Sequence, residues 1–97
     1  MDKITKLEII TDSLEMKEVI AVLESEGLPH YTLIRDVVGR GSRGFQGADD
    51  LSDAFTNSYL LTTCNADQVE RVVAALRPLL KEHGGVCLVS EARWVLH

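Results

Sequence analysis

A chain of 97 residues suits one domain, predicted to span residues 1–97, and its net charge of −5 argues against a general nucleic-acid binder, which normally carries a basic face. An apolar fraction of 45% argues against disorder. No apolar run approaches the roughly 20 residues that cross a bilayer, and no apolar signal core follows Met1, so we expect a cytoplasmic protein.

The first third of the chain predicts a strand and then a helix. Lys3–Thr11 alternates along its length and is rich in β-branched residues, which is typical of a strand. Asp12 or Ser13 is then expected to cap a helix whose inner face repeats at i, i+3, i+4 and i+7. That face carries Met16, Val19, Ile20 and Leu23. Gly27 is expected to end the helix, and Pro29 to prevent its resumption.

A long loop at residues 39–54 is predicted between two strands, Tyr31–Val38 and Phe55–Thr63, and it far exceeds the usual hairpin connection. Its core reads Gly39-Arg40-Gly41-Ser42-Arg43-Gly44. Glycines allow close backbone approach, successive N–H groups can cradle an oxyanion, and arginine offers a planar fork to phosphate. An anion-binding loop and a flexible hairpin tip are both compatible with this pattern, whereas the P-loop ending is absent.

The last third predicts a second helix and a last strand. Asn65 is expected to cap the helix. Its inner face carries Val69, Val72, Val73, Leu76 and Leu80. Pro78 lies within this pattern and predicts a kink or a break near Arg77. The pair Gly84-Gly85 then closes the helix, and Val86–Leu96 is the last strand.

The predicted order is βαββαβ, which is typical of an α+β, ferredoxin-like fold with a four-stranded antiparallel sheet and two helices on one face. Right-handed crossovers place the first and third strands in the middle and the fourth beside the first. The helix-free face would carry leucine, valine and tryptophan side chains. A cyclic homo-oligomer is the expected cover for such a face.

No catalytic constellation stands out, so we do not expect an enzyme, and no catalytic cofactor or metal is indicated. Cys64 and Cys87 lack metal-ligand spacing and are expected to be buried free thiols. His30, His83 and His97 lie at segment ends, far apart in sequence, and are expected to be solvated.

Two short motifs resemble the PII signalling superfamily: Tyr31-Thr32-Leu33, and the Gly39–Arg43 run that follows. Proteins of that superfamily are ferredoxin-like trimers that bind adenine nucleotides between subunits, and their T-loop between the second and third strands changes shape with the ligand. The two motifs, with Gly84-Gly85-Val86-Cys87 and Ser90–Trp94, are most similar to PII-like proteins tied to inorganic-carbon uptake. Those are the carboxysome-associated PII-like proteins and the bicarbonate-transporter regulators.

The chain departs from the nitrogen-regulating members at three places. The loop has no tyrosine for nucleotidylylation, the turn after the second helix has no lysine to meet a triphosphate, and the sequence reaches His97 before the arginine pair of many PII proteins. Fewer cationic groups suit a mono- or diphosphate. The resemblance therefore implies ADP or AMP as the nucleotide.

Carried over residue by residue, the resemblance implies a non-catalytic homotrimeric sensor of adenine nucleotide and bicarbonate. Its nucleotide-binding residues would be Tyr31, Thr32, Leu33, Gly39, Arg40, Gly41, Ser42, Arg43, Gly84, Gly85, Val86 and Cys87. Its bicarbonate-binding residues would be Arg40, Gly41, Ser42 and Arg43. The implied target is a bicarbonate transporter or a carboxysome-associated protein. The alternatives from other classes are a structural adaptor and a small ferredoxin-like enzyme without nucleotide.

Overall fold

The computed structural model describes residues 1–41, 44–46 and 56–96. The elements in chain order are β1 (Asp2–Asp12), α1 (Met16–Ser25), β2 (Thr32–Val37), β3 (Gly39–Gly41), β4 (Gly44–Gln46), β5 (Asn57–Cys64), α2 (Val69–His83) and β6 (Val86–Trp94).

Four of the strands form one antiparallel sheet in the order β2–β5–β1–β6. The two long strands β1 and β5 are therefore central, and β2 and β6 are the edges. Ile10 lies opposite Tyr59 on one side and Val86 on the other. This order and the two helices confirm the predicted ferredoxin-like fold.

The alternation of the central strands divides the sheet into two unlike faces. Leu7, Ile9 and Leu60 are fully buried, and they form the core with the inner residues of both helices. From those helices come Met16, Val19, Leu23, Val72 and Leu76. Within the described part of the chain no helix covers the other face, and large apolar side chains are exposed at its two edges, as the sequence predicted.

The first helix starts later than its sequence predicted. Residue Glu15, rather than Asp12 or Ser13, precedes the first helical residue, and its side chain makes no capping hydrogen bond. The Asp12 carboxylate instead accepts a bond from the Leu14 amide at 2.9 Å, which forms a local turn before the helix. The predicted end is confirmed, because Gly27 takes a positive φ of 84° just after the helix.

The second helix differs from prediction at its start and in its middle. Asn65 is not the cap, because three residues intervene and Gln68 directly precedes the helix. The Asn65 amide instead donates to the Gln68 side-chain oxygen at 2.9 Å. The helix continues through Pro78 to His83, so the expected break is wrong. Val72 and Leu76 are buried before the proline, and Leu79 and Leu80 pack against the core after it, so tertiary contacts support the helix on both sides of Pro78.

The predicted loop at residues 39–54 contains regular structure. β3 and β4 pair as a two-stranded ribbon in which Gly39 faces Gln46 and Gly41 faces Gly44. The prediction of a loop without strands is therefore wrong for Gly39–Gly41 and Gly44–Gln46. Ser42 and Arg43, which carry part of the anion-site prediction, lie outside the described residues.

Candidate nucleotide and anion site

A cavity of about 460 Å³ lies at the base of the ribbon, on the helix-free face of the sheet. Its lining consists of Ile10, Ile34, Val37, Val38, Gly39, Asn57 and Tyr59. Of these, the sequence had indicated only Gly39 as a site residue. Strand alternation could have placed Ile10 and Tyr59 on one face, but it does not reveal a cavity. Its mostly apolar lining suits a flat, largely apolar group such as a nucleobase.

The backbone changes direction beside this cavity. The register between β2 and β5 shifts between Ile34 and Val37. Asp36 lies within that shift and has a φ of 59°, a conformation that is uncommon outside glycine. This bulge turns the chain from the sheet edge into the ribbon at Gly39 and thereby shapes one rim of the cavity.

Tyr59 joins the cavity to a polar group on the same face. Its hydroxyl donates to the Glu8 carboxylate at 2.7 Å, and the Lys6 ammonium lies 3.6 Å from the other Glu8 oxygen. The tyrosine hydrogen bond is the largest cause that holds the Glu8 pKa below its ordinary value. The same bond raises the pKa of Tyr59. The hydrogen bond therefore favours the charged form of Glu8, which lies beside Lys6 on the helix-free face.

The glycine pair after α2 occupies a tight position at the other edge of the sheet. Gly84 has a φ of 79°, and its amide donates to the Leu80 carbonyl at 2.8 Å, which ends the helix. A Cβ on Gly85 would lie 2.6 Å from Leu80 Cδ2 and 2.9 Å from the Ile10 carbonyl oxygen. Only glycine fits there, so this turn is held directly against the end of β1.

The predicted site residues divide between the two faces. Leu33 and Cys87 pair with buried residues of the helix-covered face and pack against the core. Thr32 and Val86 lie on the helix-free face, and Tyr31 is 42% exposed just before β2. For Leu33 and Cys87, backbone groups are therefore better placed than side chains to meet a ligand.

Within one chain, the two predicted walls of the site are far apart. Val86 lies in the edge strand β6, and Thr32 lies in the opposite edge strand β2. The central strands β1 and β5 lie between them. Three strand spacings separate these edges, roughly 14 Å. A single subunit therefore presents two half-sites rather than one closed cleft.

The two cysteines are free thiols, as expected. Cys64 is buried, and Cys87 is partly buried. Burial is the largest cause that raises the pKa of each thiol, so both favour the protonated, unreactive form at neutral pH.

The expectation of solvated histidines is wrong for His83. Its side chain is 23% exposed, and its Nε2 lies 3.3 Å from a Glu15 carboxylate oxygen. A Glu18 carboxylate oxygen lies 3.6 Å from the same nitrogen. Docking of the two helices brings these groups together, which sequence spacing could not reveal.

The fold is that of a PII-like protein. Residues 4–95 match the family model described as nitrogen regulatory protein P-II, and the chain belongs to that family. No curated protein sequence matches the chain significantly. Among the described residues, no helix has the length and apolar character that a membrane crossing requires.

Solved structures of the same fold include a PII-like protein, CPII of Thiomonas intermedia K12, bound to ADP, AMP and bicarbonate. It is 21% identical over 94% of this chain and 87% of its own, with a TM-score of 0.85. The complex of CPII with ADP and bicarbonate has 23% identity, the same coverage of both chains and a TM-score of 0.82. A PII-like protein of Thermus thermophilus is 19% identical over 95% of this chain and 91% of its own, with a TM-score of 0.75. At these identities the likeness establishes the fold alone.

Proposed function

We propose that this protein is a non-catalytic, homotrimeric sensor that binds ADP or AMP together with bicarbonate and signals through the segment at residues 39–54. The nucleotide would lie in the clefts between subunits. The expected output is regulation of inorganic-carbon uptake or carboxysome function, through a bicarbonate transporter or a carboxysome-associated protein, and the expected location is the cytoplasm.

The observation that carries this proposal is the division of the site between two sheet edges. Thr32 and the Gly39 ribbon belong to the β2 edge, whereas Gly84 and Val86 belong to the β6 edge. A cyclic arrangement brings the β6 edge of one subunit to the β2 edge of the next. Each cleft would then receive both walls, and the site is incomplete without a second copy.

The exposed apolar face supports the same assembly. Ile34, Val86 and Leu88 are 52%, 49% and 54% exposed in the single chain, although all three lie in regular strands. Burying them against neighbouring copies would recover about 25 cal/mol for each Å² of apolar surface. Closure of the sheets around a common axis covers this face and forms the clefts in one step.

The CPII structures with ADP, AMP and bicarbonate support the choice of ligands, since this chain has the same fold. Gly39 lines the cavity that we assign to the nucleotide, and the two arginines of the motif follow it in sequence. Phosphate and bicarbonate oxygens would accept from arginine and from backbone amides there. A ligand shifts the segment only as far as it binds one arrangement better than the other.

Isothermal calorimetry with AMP, ADP, ATP and cyclic AMP, each with and without bicarbonate, tests the proposal. ADP or AMP should bind more tightly when bicarbonate is present, and by linkage bicarbonate should bind more tightly to the nucleotide-bound protein. Sedimentation equilibrium should return three times the 10.7 kDa chain mass. Absence of binding by every nucleotide, or a monomer at micromolar concentration, would contradict the proposal.

The charge at residue 43 offers a sharper variant. Arg43→Ala removes a charge-assisted bond to phosphate, worth roughly 1.5–3 kcal/mol, and should weaken ADP binding accordingly. Arg77→Ala removes the same charge from the exposed surface of α2 and serves as the control. Equal affinity in the two folded variants would argue against a role for Arg43.

A further inference from the structure

A group of three potential metal ligands lies outside the two half-sites. Glu15 precedes α1, Glu18 lies in its first turn, and His83 is the last residue of α2. The His83 Nε2 is 3.3 Å from one glutamate oxygen and 3.6 Å from the other. One ligand atom from each of the three side chains lies within 4.8 Å of the other two.

The backbone that carries these side chains is already fixed. The Glu15 amide donates to the Asp12 carbonyl at 2.9 Å, and the Glu15 carbonyl accepts from the Glu18 amide at 3.1 Å. At the other helix, the Gly84 and Gly85 amides donate to the Leu80 carbonyl at 2.8 and 3.1 Å. Few backbone degrees of freedom are left to order on binding, which lowers the entropic cost of capturing an ion.

The charges of the group are unbalanced without a further cation. Within the residues that the structure describes, the ion-pair partner of both Glu15 and Glu18 is the single imidazole of His83. A protonated imidazole balances one of the two carboxylates, whereas a divalent ion balances both. The Glu15 and His83 side chains are partly buried, with 29% and 23% exposure, whereas Glu18 is 50% exposed. Partial burial makes an unbalanced charge more costly than in open solvent, and this applies to Glu15 more than to Glu18.

We propose that Glu15, Glu18 and His83 bind a divalent transition-metal ion of the Zn²⁺ type and thereby join the start of α1 to the end of α2. One imidazole nitrogen and two carboxylate oxygens are ligands that Zn²⁺ accepts, with water in the fourth position. Tetrahedral bonds of this kind place ligand atoms about 3.4 Å apart. The two distances at His83 bracket that value, and the two glutamate oxygens lie within 4.8 Å of each other, so side-chain rotation that brings the glutamates together completes the site.

The site goes beyond nucleotide sensing and does not depend on it. A bound ion would nevertheless affect the candidate half-site, because His83 directly precedes the tight turn Gly84-Gly85 at the β6 edge. A metal bond at His83 would hold the last turn of α2 in place. Metal occupancy would then reduce opening of the turn that forms one half-site.

Zn²⁺ calorimetry and Co²⁺ absorption titrations, both without nucleotide, test the site on the full chain. The wild-type protein should take up one ion per chain, and Co²⁺ should show the visible bands of low coordination number. His83→Gln should weaken Zn²⁺ binding by about 100-fold, since even the loss of a supporting partner costs 10–100-fold. His30→Gln, at an exposed histidine outside the group, should leave it unchanged.

A second variant and a thermal measurement complete the test. Glu18→Gln should also weaken Zn²⁺ binding, and a Zn²⁺ concentration that saturates the wild type should raise its Tm more than that of either variant. Mg²⁺ should not displace Zn²⁺, because it prefers oxygen ligands and retains its water. Equal Zn²⁺ affinity in wild type and His83→Gln, or no uptake by the wild type, would overturn the proposal and leave a simple ion pair.

Discussion

The two faces of the sheet are formed by the same strands, yet one face is buried under the helices and the other is exposed. Leu60 is fully buried under the helices, whereas its neighbour Leu61 lies on the helix-free face and is partly exposed. The covered face is largely apolar, with Thr11, Ser58 and Thr62 buried among its aliphatic side chains. The open face combines exposed leucine and valine with the Glu8–Tyr59 hydrogen bond. The covered face accounts for folding of the single chain, while the open face is the one that we propose is buried by other copies.

The largest expected effect tests the open face. Leu88→Glu would place a carboxylate from each copy in the shared interface, where desolvation and like charges cost several kcal/mol. We expect sedimentation to show a change from trimer to monomer, with the fold retained by circular dichroism. Leu14→Glu, at a residue 63% exposed in the turn before α1, is the control and should remain trimeric. A trimeric Leu88→Glu protein would mean that the open face is not the interface.

The neighbouring leucines of β5 compare the two faces directly. Leu60→Ala should lower the free energy of unfolding by about 2–5 kcal/mol, because the cavity opens in a fully buried core. Leu61→Ala should cost much less in dilute protein and more as concentration rises, since its burial depends on neighbouring copies. Urea denaturation at several protein concentrations measures both. If both variants lost the same free energy of unfolding at every protein concentration, the proposed difference between the two faces would be wrong.

Alanine substitutions at two glycines compare the turn before β6 with the ribbon that follows β2. Gly85→Ala should destabilise by about 1–3 kcal/mol, because its Cβ would overlap Leu80 and the end of β1. Gly39→Ala has no atom within 4 Å of the new Cβ and should be nearly neutral or slightly stabilising. Thermal unfolding of the two variants side by side checks this. Equal midpoints would show that the β6 turn is not tightly held.

The smallest effect concerns the polar group of the open face. Tyr59→Phe should raise the Glu8 pKa towards its ordinary value, and NMR titration of the Glu8 carboxyl group measures the shift. Because the folded pKa of Glu8 is lowered, this bond stabilises above the unfolded carboxyl pKa, and its effect is lost as pH falls through the folded value.

The stabilisation by the Tyr59–Glu8 hydrogen bond is also lost at high pH. The folded pKa of Tyr59 is raised, so stabilisation persists below the unfolded phenol pKa and disappears as pH rises through the folded value. Tyr31→Phe, at the other tyrosine, should leave the Glu8 titration unchanged. Identical Glu8 titrations in the wild type and Tyr59→Phe would contradict the bond.

Sequence reasoning proposed site residues but not their surroundings. It predicted a loop from Gly39 and a turn at Gly84-Gly85 from glycine patterns and a family resemblance, and the structure places the paired ribbon of β3 and β4 at the start of that loop. It did not predict the cavity residues Ile34 and Tyr59, because a cavity depends on the bulge before Val37 and on cross-strand register. It did not show that Leu33 turns towards the core, whereas burial of the Cys87 thiol was expected.

By itself, the sequence determined the order of elements, the inner faces of both helices and the helix end at Gly27. These features are encoded within a few residues, through periods of 2 and 3.6 and through the backbone freedom of glycine. The right-handed crossover rule then extended local order to the strand order of the sheet. Helix starts were less predictable, because side chains such as that of Asp12 have competing turn hydrogen bonds.

Only the tertiary structure decided which distant groups meet. The approach of His83 to Glu15 depends on how the two helices dock, and the Tyr59–Glu8 bond depends on the register of β5 against β1. Such contacts join residues with no shared local pattern, and their distances arise from packing of the whole core. The separation of the two half-sites has the same origin, since it is the sheet order that places Thr32 and Val86 at opposite edges.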